Sequence, residues 1–288
     1  MLKRRLFVLA YLSPAVLLYG LFVGVPLIQT FYYSMFRWKG LSKKMTFVGP
    51  KNLVTVAQDE VMHKAAINQL LLLVCGGLLL IGFSVAIAHA LAQPTKLART
   101  VQTVMLFPQV VSIVVVGIMW SFLFNPSFGI SRTLGWPKLD NGVLGTAGWA
   151  NAAVLLVFCW HAIGFYVMLF GAGIKNIDGE VLEAAELDGS GGWHRFQKIT
   201  WPLLWSVKKV AVVYVVANVM GMFAIAKLLT KMGPDNSTQS LLTLVYQRGW
   251  DESQMGQAAT LAVYGFIVAM ALGGIATLVI GRNPEKSR

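Results

Sequence analysis

The sequence predicts an all-α membrane protein that crosses the bilayer six times and carries a polar helix-turn-helix between its fourth and fifth crossings. Three observations predict it. Of 288 residues, 56% are hydrophobic and only 12% are charged, about half the charged share that a wetted surface requires. The apolar residues fall in long blocks rather than at strand or helix periods, and six blocks reach the roughly 20 residues that cross a hydrocarbon core. Between two of them lies one long polar stretch with helical character, 175–205.

The blocks cover about 6–35, 65–91, 101–124, 149–174, 210–229 and 257–280, within a single membrane domain over 1–288. The first follows Lys3, Arg4 and Arg5. Its apolar run is about twice the length of a signal-peptide core and no small-x-small cleavage site follows, so it is expected to stay as an uncleaved anchor. Pro14 and Pro26 interrupt it, and the carbonyls they free must be satisfied by neighbours. That predicts a helix packed in a bundle. Cys75 and Cys159 both lie inside apolar blocks without metal-ligand spacing and read as inert thiols.

The net charge is +12. The bases sit at the ends of apolar blocks, where they snorkel toward headgroups, so the implied partner is the lipid bilayer and not nucleic acid. Six crossings put both termini on one side. If that side is cytoplasmic, 13 of the 24 Lys and Arg lie inside, only a slight positive-inside bias. The segment from Arg37 to Lys64 is notably basic for an external one.

Polar residues within spans are costly and tend to face a cavity or a partner. Gln109 and Ser112 in span three, His161 in span four and Asn218 in span five are the candidates for a solute pathway. Asn68, Gln69 and His89 are weaker ones, and Trp120, Tyr166, Tyr214 and Phe223 are span aromatics whose flat faces could stack on a solute. For each of these polar residues, hydrogen-bonding glue between helices is the favoured reading, because spans use polar side chains in that way. No Asp or Glu falls in spans two to six, which argues against an ion-coupled carrier or facilitator, since proton relays need buried carboxylates.

In the polar stretch, Asp178 can cap a helix whose first turn holds Glu180, suiting the positive end of its dipole. Gly189 permits the conformation that stops that helix. Ser190 can cap a second short helix carrying Trp193, Phe196 and Ile199, which Pro202 is expected to end. Two short helices at an angle make either a rigid docking elbow or an amphipathic segment lying on headgroups, and physics alone leaves both open.

Glu183-Ala184-Ala185, Asp188-Gly189, then Phe196, Ile199 and Pro202 at fixed spacing resemble the EAA loop of ATP-binding cassette importer permeases, in the carbohydrate-uptake branch. Gly233-Pro234-Asp235-Asn236-Ser237-Thr238 resembles that family's external turn, with Met232 where its first glycine stands, and Ser13-Pro14 through Pro26 to Trp38 is similar to the maltose- and glycerol-phosphate-type A permease. Trp201 replaces the usual Leu, and Ser190-Gly191-Gly192 is glycine-rich where Ala is usual.

The resemblance implies an elbow on the cytoplasmic side of a bacterial inner membrane, with both termini there too. It implies a second, homologous permease, an ATPase subunit dimer and an extracytoplasmic binding protein that delivers a carbohydrate-like solute. Glu183, Ala184, Ala185, Asp188 and Gly189 would form the ATPase-coupling core, with Phe196, Ile199 and Pro202 packed against it. Glu183 would meet a basic or backbone donor on the ATPase, or else serve only helix solubility. The chain has no Gly-x4-Gly-Lys-[Ser/Thr] phosphate loop, so it is expected not to be an enzyme, and neither cofactor nor metal is implied.

Overall fold

A computed structural model describes residues 2–42, 44–93, 95–133 and 142–279. The expected end of span six at 280 and the bases Arg282, Lys286 and Arg288 lie outside the described residues. Helix α1 (Leu2–Tyr19) passes through a π-turn (Gly20–Gly24) into α2 (Val25–Ser34). The ribbon β1 (Phe36–Arg37) and β2 (Thr46–Phe47) is antiparallel, Phe36 opposite Phe47. Then come α3 (Lys51–Ala57), α4 (Glu60–Leu71) and, past a π-turn (Leu72–Gly76), α5 (Gly77–Ala90). They are followed by α6 (Lys96–Val110), α7 (Ile113–Leu123), α8 (Ile130–Thr133) and α9 (Ala147–Lys175). The polar stretch forms α10 (Gly179–Leu187), α11 (Gly192–Arg195), a π-turn (Phe196–Thr200) and α12 (Trp201–Leu203). The chain ends with α13 (Trp205–Met220), α14 (Ala224–Leu229), α15 (Leu241–Tyr246), a π-turn (Gln247–Asp251) and α16 (Met255–Val279).

Ala10–Ser34, Glu60–Ala90, Ala147–Lys175 and Met255–Leu278 are each long and apolar enough to cross a bilayer. Two further pairs pass the same test only together: Lys96–Val110 with Ile113–Leu123, bent by 94°, and Gly192–Leu203 with Trp205–Met220, bent by 70°. Counting each pair as one span gives up to six candidate crossings, by length and composition, among the described residues.

The first bent pair and the stretch 210–229 depart from the straight spans read in the sequence. Pro108 weakens the last turn of α6, and Val111 and Ser112 then turn extended (ψ 135 and 131) before α7 restarts. The stretch 210–229 divides at Gly221, whose N–H bonds to Ala217 and Val219 carbonyls, and α14 packs on α7 at Gly117, where an added Cβ would lie 3.0 Å from Leu228 Cβ. Pro26 and Pro202 each stand two residues past a π-turn. A proline cannot donate and its ring crowds the carbonyl one turn back, so the preceding turn widens: Val25 N–H reaches Gly20 O and Trp201 N–H reaches Phe196 O.

Contacts divide the chain into two compact units: residues up to His63 with Leu244–Ile267, and Lys64–Thr243 with the rest of α16. In the first, the Asn52 amide donates to the carbonyls of Ser34 and Phe36, both at 2.9 Å. Tyr264 Oη donates to Leu53 O at 3.0 Å. Arg248 pairs with Asp59 and, at 2.7 Å, with Glu252. Gly256 meets the backbone so closely that a Cβ would sit 1.9 Å from Phe36 O.

The second unit is built around α9. Leu80, Val116, Val157, Phe170, Leu204, Val219 and Ile225 form its buried core. Gly173 lets α13 approach, since a Cβ there would lie 2.6 Å from Val207 Cγ2. Gln69 clamps two distant segments, its Nε2 donating to Val219 O at 2.8 Å and its Oε1 accepting from Leu241 N at 3.0 Å.

Candidate functional site: the helical elbow and the broken helix

Helix α10 starts where Asp178 turns its side chain back, Oδ1 accepting from Glu180 N at 3.1 Å, and Glu180 adds a negative charge at the positive end of the dipole. It stops in a Schellman motif. Gly189 takes φ +72, its N–H bonds to Glu186 O and Ser190 N–H to Ala185 O, both at 3.0 Å, so two orphan carbonyls of the last turn are satisfied. One face is anchored, with Ala185 only 5% exposed. Glu183, Ala184, Asp188 and Gly189 face outward, and Leu187 is 90% exposed. A nearly bare leucine beside carboxylates is a surface that one partner could cover.

The second arm differs from the sequence reading in two ways. Its N-cap is Gly191, which has no side chain to cap it. Pro202 does not end it either: the helix runs to Leu203, and the break falls at Leu204 (φ −76, ψ 13). Proline is accommodated within this helix because the π-turn before it widens the preceding turn, Trp201 N–H reaching Phe196 O. The arms are tied by Arg195 Nη1 and Glu186 Oε2 at 3.1 Å. Phe196 sits between Trp193 (5.6 Å, stacked) and His89 of α5 (5.1 Å), which seats the elbow on the bundle. Ile199 and Pro202 are half-buried in the same arm.

The pathway candidates lie on α6, α9 and α13 and at the break between α6 and α7. Gln109 is in the last turn of α6, its Oε1 buried without a partner. Ser112 is the exposed N-cap residue of α7 with no capping bond of its own. His161 Nε2 lies 3.5 Å from Val111 O in the break. Asn218 instead donates to Tyr214 O of its own helix at 2.9 Å. Asn68 and Gln69 act as glue, Asn68 Nδ2 donating to Asn236 O and Gln239 O at 3.1 Å each. Among the aromatics, Trp120 packs edge-on against Trp160 at 5.4 Å, and Tyr214 lies 4.4 Å from Phe165. Sequence reasoning missed the break itself. Its signal was Pro108 four residues before Ser112, inside an otherwise unbroken apolar run.

The profile of the binding-protein-dependent transport system inner membrane component family matches residues 79–286. The chain is 32% identical to a probable ABC transporter permease protein, YurN, of Bacillus subtilis, across 91% of each chain. It is 30% identical to the diacetylchitobiose uptake system permease protein NgcF of Streptomyces coelicolor, across 96% of this chain and 82% of the relative. In fold it is similar to the crystal structure of a bacterial ABC transporter involved in the import of the acidic polysaccharide alginate, with TM-score 0.81, 22% identity and 96% of each chain covered. The chain belongs to the family of binding-protein-dependent transport system inner membrane components.

Proposed function

We propose that this chain is the pore-forming subunit of an ATP-driven importer that moves a sugar or sugar-like solute handed over by an external binding protein. It pairs with a second, homologous permease, and each elbow seats on one subunit of an ATPase dimer. The elbow and both termini are cytoplasmic, and hydrolysis belongs to the ATPase, so the chain itself catalyses no reaction. A saccharide solute is supported by the diacetylchitobiose and alginate systems that the chain resembles.

The observation that carries this reading is the elbow: a capped, Schellman-stopped helix that keeps Glu183, Ala184, Asp188 and Gly189 on the outside while Phe196, against His89, holds the elbow to the bundle. A rigid helix transmits displacement, whereas a loose loop absorbs it. Closure of the ATPases would draw the elbow along, and the aromatic contact of Phe196 with His89 would carry the motion into α5. Gln109, Ser112 and His161 supply polar groups where α6 and α7 part, at non-helical backbone of the kind a membrane tolerates only when it is buried in protein or lines a cavity. Asn218 completes the pathway set from α13.

Single cysteines at Leu187, on the elbow, and at Phe47, in the first external segment, test the topology. The expected result is that a membrane-impermeant thiol reagent labels position 47 in intact cells and position 187 only in inverted vesicles. Labelling of position 187 from outside overturns the proposal. An ion-coupled carrier keeps one supporting observation, the two broken helices. Uptake that survives ATP depletion and collapses with the ion gradient would establish that reading instead.

A further inference from the structure

A cleft of 490 Å³ opens where the second arm of the elbow meets the end of α5. Helix α5 supplies Gly82, Ala86 and His89, and the arm supplies Trp193, Phe196 and Trp201. The three α5 residues are spaced to share one helix face. They belong to the last two turns of the span Glu60–Ala90, so the cleft lies where hydrocarbon gives way to headgroups. Its floor is open, since a Cβ added at Gly82 would meet nothing within 4 Å. Trp193 stands 69% exposed at its edge, at the level where tryptophan anchors membrane proteins in the interface.

The charge around the cleft has one sign. The arm and the start of α13, 193–209, carry Arg195, Lys198, Lys208 and Lys209 but no Asp or Glu. Arg195 is committed to Glu186 at 3.1 Å. The three lysines make no ion pair among the described residues. Lys208 is fixed to the cleft wall itself. Its Nζ lies 4.3 Å from the centroid of the Trp201 ring and donates to Trp201 O at 2.8 Å. That bond uses one of three N–H groups on the ammonium, and the other two can reach an anion.

We propose that this cleft holds one anionic phospholipid, with an acyl chain over Gly82 and Ala86 and the headgroup phosphate on Lys208. The inference goes beyond the importer reading, because the cleft lies within this chain and takes its lipid whatever solute is carried. The pairing of surfaces selects the ligand. A soluble anion would leave the apolar floor and the tryptophan faces uncovered, and an uncharged chain would leave the ammonium unmatched. An amphiphile with a phosphate covers both, as basic pockets between membrane helices do for acidic headgroups. At this depth the surrounding medium is lipid, which fits better than a protein partner.

The test places the whole transporter in phosphatidylcholine nanodiscs with a trace of phosphatidylglycerol that carries a photoactivatable group on one acyl chain. Labelled peptides are then located by mass spectrometry. Labels are expected in 82–89 and 193–201, where unlabelled phosphatidylglycerol should compete and added phosphatidylcholine or inorganic phosphate should not. Lys208→Gln should lower this labelling about fivefold, the effect of one lysine beside an acidic headgroup. Lys208→Arg should keep it within about twofold, which separates charge from fold. Gly82→Leu, whose side chain would occupy the open floor, should abolish labelling without lowering the melting temperature. Unchanged labelling in either Lys208→Gln or Gly82→Leu overturns the site, as does absence of label from both segments. Equal competition by phosphatidylcholine overturns it in favour of an unselective acyl groove, and competition by inorganic phosphate in favour of a free-anion site. Labelling that appears only in the isolated chain overturns it in favour of a partner subunit that covers the cleft.

Discussion

Gly164 of α9 lies directly against the backbone of Met105 in α6, so that a Cβ at position 164 would sit 1.9 Å from the Met105 carbonyl oxygen. No rotamer can relieve that contact, because the obstacle is main chain. Gly164→Ala must therefore push α6 away from α9 and with it the break that carries Gln109 and Ser112. We expect a loss of about 3 kcal/mol or more, at the upper end of what overpacking costs. Thermal unfolding in detergent measures it, and a wild-type melting curve would refute the packing.

At Gly189 the constraint is conformational. Nothing lies within 4 Å of an added Cβ, but φ is +72, and a left-handed residue with a side chain costs about 1–2 kcal/mol. Gly189→Ala should loosen the elbow and lower solute-stimulated ATP hydrolysis several-fold, while Gly189→Asn, which tolerates that region, should keep most of it. Equal activity in both would remove the Schellman stop from the coupling mechanism.

The pair Glu186–Arg195 should matter little by contrast. The glutamate side chain is 75% exposed, and surface pairs contribute about 0–1 kcal/mol. Glu186→Gln is expected to shift the unfolding free energy by less than about 0.5 kcal/mol, measured under the same detergent conditions.

Met232 stands where the resembling family's external turn has glycine, and its φ is +67. Met232→Gly should remove left-handed strain and stabilise the turn by about 1 kcal/mol, net of the extra freedom glycine gains on unfolding. A destabilised variant would mean that the methionine side chain outweighs its backbone cost.

Arg248 joins Asp59 and Glu252 from opposite ends of the sequence. Arg248→Met leaves two half-buried carboxylates facing each other and should cost about 2–3 kcal/mol. Adding Asp59→Leu should recover part of that loss, which a double-mutant cycle reads directly. Strict additivity would show that the three charges are independent.

The elements governed by local chemistry were legible from the residues. Blocks of 20 or more apolar residues can satisfy their backbone in lipid only as helices, and Asp178 and Gly189 marked the ends of α10 because capping and a left-handed stop are single-residue properties. The site was legible only in part. Which face of the elbow is buried does not follow from its own sequence, since Leu187 stands 90% exposed while Ala185 is buried. The sequence placed Asn218 on an equal footing with Gln109, whereas only the structure shows it bonded within its own helix.

By itself, then, the sequence determined the membrane class, the spans as blocks and the elbow as a motif. The tertiary structure alone decided that the block at 101–124 bends by 94° between α6 and α7, that the helix carries on past Pro202, and that Arg37, Lys39 and Lys51 meet residues near 255 in one cleft. The physical reason is range. Hydropathy and capping act within a few residues of the chain, but a helix breaks, or charges converge, according to which distant backbone or side chain arrives to take up the freed groups.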